Sequence, residues 1–332
     1  MAVAISDVYV NIDIERPAPK VGLGRPLILV KNTAQDAKYQ EYTSLEALAK
    51  DYASDTKTYA KAKAIFLQQN APDLVAVAPF NTDIATALED VFSKSWHFVI
   101  LAEYVAADAL AISNLIEEHK FKFAVIQVPT FAGAAQLKTN SRTIVVVHDK
   151  VGENLDAAWI GDTASATVGS VTWKFRKDLV GITASELTSA QVDEIHAQGA
   201  VAYILKAGVP QTSEGKTANG EFIDSLHGDD WVKSTIETRL QKALTDSDKV
   251  SFDTRGIAQL QSEVVAVLDE AFNNGIVDID DETGQANYTV TALQRNELKE
   301  EEILARKYNG LKFRYKRSNA IHSATVYGTI VV

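Results

Sequence analysis

Cysteine is absent from the 332 residues, which excludes disulfides, thiolate metal sites and cysteine nucleophiles together. No run of about 18 apolar residues occurs, so the sequence predicts no bilayer-spanning helix. The first 30 residues lack the basic start and apolar centre of a signal peptide, and cytoplasmic synthesis is the expectation. Acidic residues are missing from Ile303 to Val332, where Arg306, Lys307, Lys312, Arg314, Lys316 and Arg317 supply six positive charges. Subtracting those six from the net charge of -11 leaves -17 on residues 1–302. A basic tail on an acidic body attracts tail to body between copies while bodies repel. Phe313 and Tyr315 interleave with the basic residues as a nucleic-acid stacking platform would. The acidic remainder repels phosphate, however, and no nucleic-acid motif accompanies the tail, so nucleic acid is not an expected partner.

What is present is an ordinary globular composition, 46% hydrophobic and 23% charged, long enough to bury a full core and to hold two or three subdomains. The runs Pro26 to Val30, Leu74 to Ala78, Phe98 to Leu101, Phe123 to Val128, Thr143 to Val147 and Ala200 to Leu205 read as strands. Helical patterns at Ile84 to Val91 and Ala107 to Glu118 separate three of them, which argues for a parallel sheet covered on both faces. Thr43 and Glu46 form a capping box that predicts a helix start. Two long helices are expected at Asp230 to Leu244 and Ile257 to Phe272, a strand at Asn287 to Thr291, and a charged helix at Arg295 to Lys307. Soft boundaries divide the chain into 1–24, 25–150, 151–309 and 310–332.

The two ends alternate with period two. Val8, Val10, Ile12 and Ile14 form one apolar face, and Ala324, Val326, Ile330 and Val332 another, the signature of strands with one buried side. Such a strand either completes its own domain's sheet or pairs with an edge on another copy.

A search for chemistry finds no assembled site. Gly22-Leu23-Gly24 lacks the third glycine of a dinucleotide fingerprint and leads into a strand, and Gly215-Lys216-Thr217 has Pro210 where a phosphate loop requires glycine. Asp224, His227, Asp229 and Asp230 suggest a metal cluster, but acidic residues ahead of a helix more often cap it. His148-Asp149 stands at a strand's C-terminal end, where ligands bind in open α/β sheets, without a serine elbow or second carboxylate motif. No catalytic, cofactor or metal residues are therefore assigned.

The middle of the chain carries a resemblance. Ala158-Trp159-Ile160-Gly161, Gly169-Ser170-Val171-Thr172-Trp173-Lys174-Phe175, Gly199-Ala200 before Tyr203, Gly215 to Thr217, and Asn219 to Asp224 with Trp231 resemble, in order, the landmarks of contractile tail sheath proteins of phages and phage-tail-like bacteriocins. Ile5 to Asp7 and Gly22 to Leu29 are similar to the opening of short phage sheaths. Val201 stands where many relatives carry Asn, and the length implies a near-minimal sheath without outer domains. The resemblance implies an α/β fold of mixed and parallel sheets covered by helices, with N- and C-terminal strand arms that pair with neighbouring subunits. It implies a structural, non-enzymatic protein without cofactors, stacked as hexameric rings around an inner tail tube and contracting to drive that tube through a cell envelope. Baseplate and tail terminator are the further partners, with no membrane contact as a monomer. The place is a virion tail or bacteriocin particle assembled in bacterial cytoplasm.

Arms of this kind are expected to flex at Pro17, Pro19, Gly22 and Gly310. Arg306, Lys312, Arg314, Lys316 and Arg317 are expected to pair with Asp278, Asp280 and Asp281 between subunits. The rival readings are a small-molecule enzyme on the α/β sheet and another ring-forming virion component such as a tube protein.

Overall fold

A computed structural model describes residues 22–32 and 38–328. Among them are strands β1 (Pro26–Lys31), β2 (Gln40–Tyr42), β3 (Val75–Phe80), β4 (Phe98–Leu101), β5 (Phe123–Val128), β6 (Thr143–Val147), β7 (Ala200–Lys206) and β8 (Val209–Thr212). They form one sheet in the order β2-β3-β1-β4-β5-β6-β7-β8. Its centre is parallel, and β2 and β8 are antiparallel edges. Both faces are buried, and side-chain alternation divides each strand between two cores. Leu27, Leu29, Val99 and Leu101 face one core, while Ile28, Phe98 and Ile100 face the other. That double burial is why the strands read as continuous apolar runs.

The covering helices are α1 (Leu45–Leu48), α2 (Lys57–Phe66), α3 (Ile84–Val91), α4 (Ala106–His119), α5 (Leu155–Thr163) and α6 (Ser189–Ala197). Helices α3, α4 and α6 lie over one face; α1, α2 and α5 cover the other. The capping residue of α1 is Ser44, whose hydroxyl accepts from the Ala47 amide, in place of the expected Thr43. Helices α2 and α5 meet at Gly161, where a Cβ would stand 2.6 Å from the Ile65 carbonyl oxygen. Gly161→Ala is expected to cost about 1–3 kcal/mol by overpacking, more than the ~1 kcal/mol it gains in helix propensity. Urea unfolding that shows an unchanged or higher midpoint would refute the tight contact.

A third core lies beyond the sheet. Helices α7 (Ile223–Asp246) and α8 (Thr254–Asn273) pack against a hairpin of β9 (Tyr288–Ala292) and the final described strand, Leu311–Tyr315, here β10. Helix α7 serves two cores: Ile223 and Leu226 join the sheet, whereas Val232, Ile236 and Leu240 join the third core. The expected division at residue 150 is therefore not a packing boundary. Strand β7 pairs with β6 through Val145↔Ala200, so the sheet continues across it. The change of core occurs along α7.

The expected helix from Arg295 to Lys307 is broken. A 3-10 turn occupies Arg295–Glu297 and a short α9 occupies Glu300–Leu304, separated by extended backbone at Leu298 and Lys299. The N-terminal arm residues Val8, Val10, Ile12 and Ile14, the pivots Pro17 and Pro19, and Ile330 and Val332 lie outside the described residues.

Candidate assembly site

The β9–β10 hairpin presents Lys312 and Arg314 of the C-terminal basic run. Antiparallel register sets Tyr315 opposite Tyr288, Phe313 opposite Val290 and Leu311 opposite Ala292. All of these side chains but Ala292 pack against the third core. The intervening residues Thr289, Thr291, Lys312 and Arg314 are exposed on the other face. Period-two geometry thus separates the aromatics from the charges. Phe313 and Tyr315 stack on each other at 6.4 Å as part of the core, so the platform for bases suggested by their spacing does not exist. Each strand has one partner, leaving one edge of each without a ladder partner among the described residues.

The charged residues expected to pair between subunits are partly engaged within the chain. Lys316 Nζ lies 2.9 Å from Asp278. Asp280 closes its own turn, accepting from the Thr283 amide at 2.9 Å and the Thr283 hydroxyl at 2.8 Å, contacts that hold its carboxyl below the usual range. Arg317 makes a two-pronged contact with Asp229, its Nε 3.1 Å from Oδ1 and its Nη2 on Oδ2. Arg306, Lys312, Arg314 and Asp281 have no ion pair among the described residues.

Asp229 and its neighbour Asp230 correct the capping reading. Both lie inside α7, past its first turn, and they tie three parts of the molecule together. Asp229 accepts from Arg317 and from the Tyr315 hydroxyl, and burial with this carboxylate nearby pushes the Tyr315 phenol up. Asp230, 1% exposed, lies 2.6 Å from Arg142 Nη1 and 3.0 Å from His97 Nε2, both at the N-terminal end of the sheet. Its other oxygen is buried without a hydrogen-bond partner among the described residues. Burial accordingly raises the Asp230 carboxyl, with the Arg142 guanidinium pulling the other way.

His227 completes the junction. Its Nε2 is 2.8 Å from the Leu23 carbonyl oxygen, and its ring stacks on His97 at 5.2 Å. Burial lowers the His227 imidazole to about 3 and takes His97 well below its ordinary value. Both rings are neutral at pH 7. Sequence reasoning missed this junction because its partners lie 86 to 204 residues apart; the one local signal was a run of polar residues along what became a buried helix face. Among the described residues no group of three or more potential ligands could hold a metal ion.

The expected hinges Gly22 and Gly310 are both packed. A Cβ on Gly22 would lie 2.8 Å from the Ser95 carbonyl oxygen, and one on Gly310 would lie 2.8 Å from Leu293 Cβ and from the Tyr308 ring. The C-terminal segment leaves the body later. Ala324 and Val326 belong to no strand within the chain, and Val326 and Tyr327 are 90% and 92% exposed.

The enzyme-like features close on themselves. His148 Nε2 contacts Glu153 at 2.9 Å and its Nδ1 faces Ser185 Oγ at 3.3 Å, a serine-histidine-acid arrangement that the sequence reading lacked. The Ser185 hydroxyl instead donates to Asp149 at 2.9 Å. Glu153 is also bound, by the Thr183 amide and hydroxyl. Its carboxyl is held below the usual range as these bonds outweigh desolvation. The cluster clamps a loop to the end of β6, and the Thr217 amide likewise donates to the Glu221 carbonyl in a turn.

Neither a protein-family model nor a curated protein sequence matches this chain. Solved structures do. A chain of the anti-feeding prophage (AFP) baseplate aligns over 99% of both chains with a TM-score of 0.74 at 14% identity. A chain from the contracted sheath complex of the extracellular contractile injection system PVC aligns over 99% of this chain and 98% of its own, with a TM-score of 0.70 at 11% identity. The sheath tail protein Lin1278 of Listeria innocua aligns over 82% of this chain and 89% of its own, with a TM-score of 0.57 at 12% identity. From the first sheet to the C-terminal hairpin, this chain has the fold of contractile sheath proteins.

Proposed function

We propose that this chain is the structural subunit of a contractile sheath. The reading is carried by likeness along essentially the whole chain, 99% of it, to a component of a sheath complex in its contracted state. The subunits stack as hexameric rings around an inner tail tube, between baseplate and terminator, in a virion tail or bacteriocin particle. The N-terminal arm, around Val8 to Ile14, and the C-terminal arm, around Ala324 to Val332, add strands to neighbouring subunits. The β9–β10 hairpin, with an open edge on each side, is the acceptor. Arg306, Lys312 and Arg314 meet acidic bodies of other copies. Contraction exchanges one packing of this polymer for another that buries more surface, and small gains per subunit add over many copies.

Negative-stain electron microscopy of the chain coexpressed with its tube protein tests the reading. Hollow tubes or stacked rings are expected, and deletion of residues 1–14 or of 321–332 is expected to abolish them. A compact monomer in the presence of tube protein, indifferent to both deletions, would overturn it.

A further inference from the structure

Beyond β10 the chain is fastened to the body at two points of unequal strength. The first is firm. Arg317 holds Asp229 with both prongs, bridges to Val277, and is followed by the Ser318 amide donating to the Ile276 carbonyl at 2.8 Å. The second is His322, whose Nε2 lies 2.8 Å from the Thr172 hydroxyl and whose ring stands edge-on to Phe175 and Phe222 at 5.9 and 5.1 Å. Between them residues 318–320 cross a crevice of about 380 Å³ lined by Gly169, Ser170, Asp224, Ser225 and Gly275. No backbone hydrogen bond holds 319–328 to other described residues. Ile321 is 84% exposed, and exposure resumes immediately after His322.

The second fastening is also incomplete. His322 Nδ1 and Glu214 Oε2 face each other at 4.0 Å, and each is buried without a hydrogen-bond partner among the described residues. Glu214 is held at its other oxygen by Lys174 at 2.7 Å. The charged groups around the imidazole are Lys174 and Lys216, which oppose its protonation, and Glu214 and Asp224, which favour it.

We infer that residues 318–322 form a releasable strap, fixed at Arg317 and latched at His322. Unlatching frees four more residues, 319–322, and at about 3.3 Å per extended residue gives the C-terminal arm about 13 Å of additional reach. The arm's root stays in place. The use of that slack, letting a paired arm follow its neighbour as subunits rotate, rests on the sheath reading; the strap does not.

Burial lowers the latched imidazole below its ordinary 6.5, so the latched form binds a proton less readily than the released one. Latching is therefore complete above about pH 6.5 and weakens as the pH falls.

The absence of cysteine allows clean spin labelling of the full chain at Lys177→Cys and Ala324→Cys, with distances read by double electron–electron resonance on dilute protein. A narrow distribution is expected at pH 7.5. His322→Ala is expected to broaden it and lengthen the mean by up to about 13 Å. Thr172→Val, which removes only the hydrogen bond, should shift it in the same direction. At pH 5.5 the parent should broaden, whereas His322→Phe, which keeps an aromatic ring and cannot take a proton, should not. A distribution unchanged by His322→Ala and by Thr172→Val overturns the strap. Tubes lost or gained in the microscope while these distances behave as described bear on the sheath reading alone.

Discussion

Asp230→Ala is expected to destabilise the chain by about 3–5 kcal/mol, the range found when one partner of a buried ion pair is removed. The loss comes from what remains behind. Arg142, 5% exposed, would keep its charge with no carboxylate at 2.6 Å, and His97 would lose the acceptor of its Nε2. A buried charge without a partner retains the full desolvation penalty. The double variant Asp230→Leu with Arg142→Met removes both charges and should recover much of the loss, since a buried pair replaced by apolar groups is often close to neutral. Urea unfolding of the two single variants and the double variant measures the coupling. Strictly additive losses, or a cost below about 1 kcal/mol for Asp230→Ala, would show that the junction is not held by this pair. The position makes the effect global, because α7 is shared by the sheet core and the third core.

The double reversal Lys312→Glu with Arg314→Glu is expected to abolish assembly while leaving the subunit folded. Both side chains lie on the exposed face of β10 and have no ion pair among the described residues, so the change in subunit stability should stay within about 0.5 kcal/mol. In the assembly the same charges would meet acidic bodies, and like charges set against each other at an interface cost several kcal/mol. Repetition at every subunit makes the outcome all-or-none. Lys316 is a poorer target than its place in the basic run suggests, because its charge is already committed to Asp278 at 2.9 Å. Electron microscopy with tube protein, alongside thermal melts of the subunit, provides the check. Normal tubes from the doubly reversed chain would eliminate a role for this face in contacts between subunits.

Much of the fold was legible in local pattern. Strands β4, β5 and β6 and helix α3 fall where the apolar runs and periodicities put them, because a strand buried on both faces needs an unbroken run and a surface helix needs a stripe. The separation of Phe313 and Tyr315 from Lys312 and Arg314 follows from the same alternation. Local pattern fails where a break depends on single residues. The apolar residues of 295–307 are only Leu298 and Ile303 to Ala305, without the stripe at helical spacing that would seat a long helix on a core, and the segment divides at Leu298 and Lys299.

The alternation of strands and helices, the uneven charge, the absence of thiol chemistry and the order of landmarks that resembles a sheath can all be read from the chain before it folds. Only the folded chain reveals which charges are spent within the subunit, and where the C-terminal segment leaves the body. Lys316, Arg317, Asp229 and Asp230 look alike in sequence as surface charges or caps. Their partners lie 38, 88, 88 and 88 residues away, and no periodicity in a single segment encodes a contact made across such distances. His322 is likewise an isolated residue until the fold brings Thr172 within 2.8 Å from 150 positions upstream. Periodicity reports which face of an element is buried; which element covers that face, and which polar group it brings, is settled by packing of the whole chain.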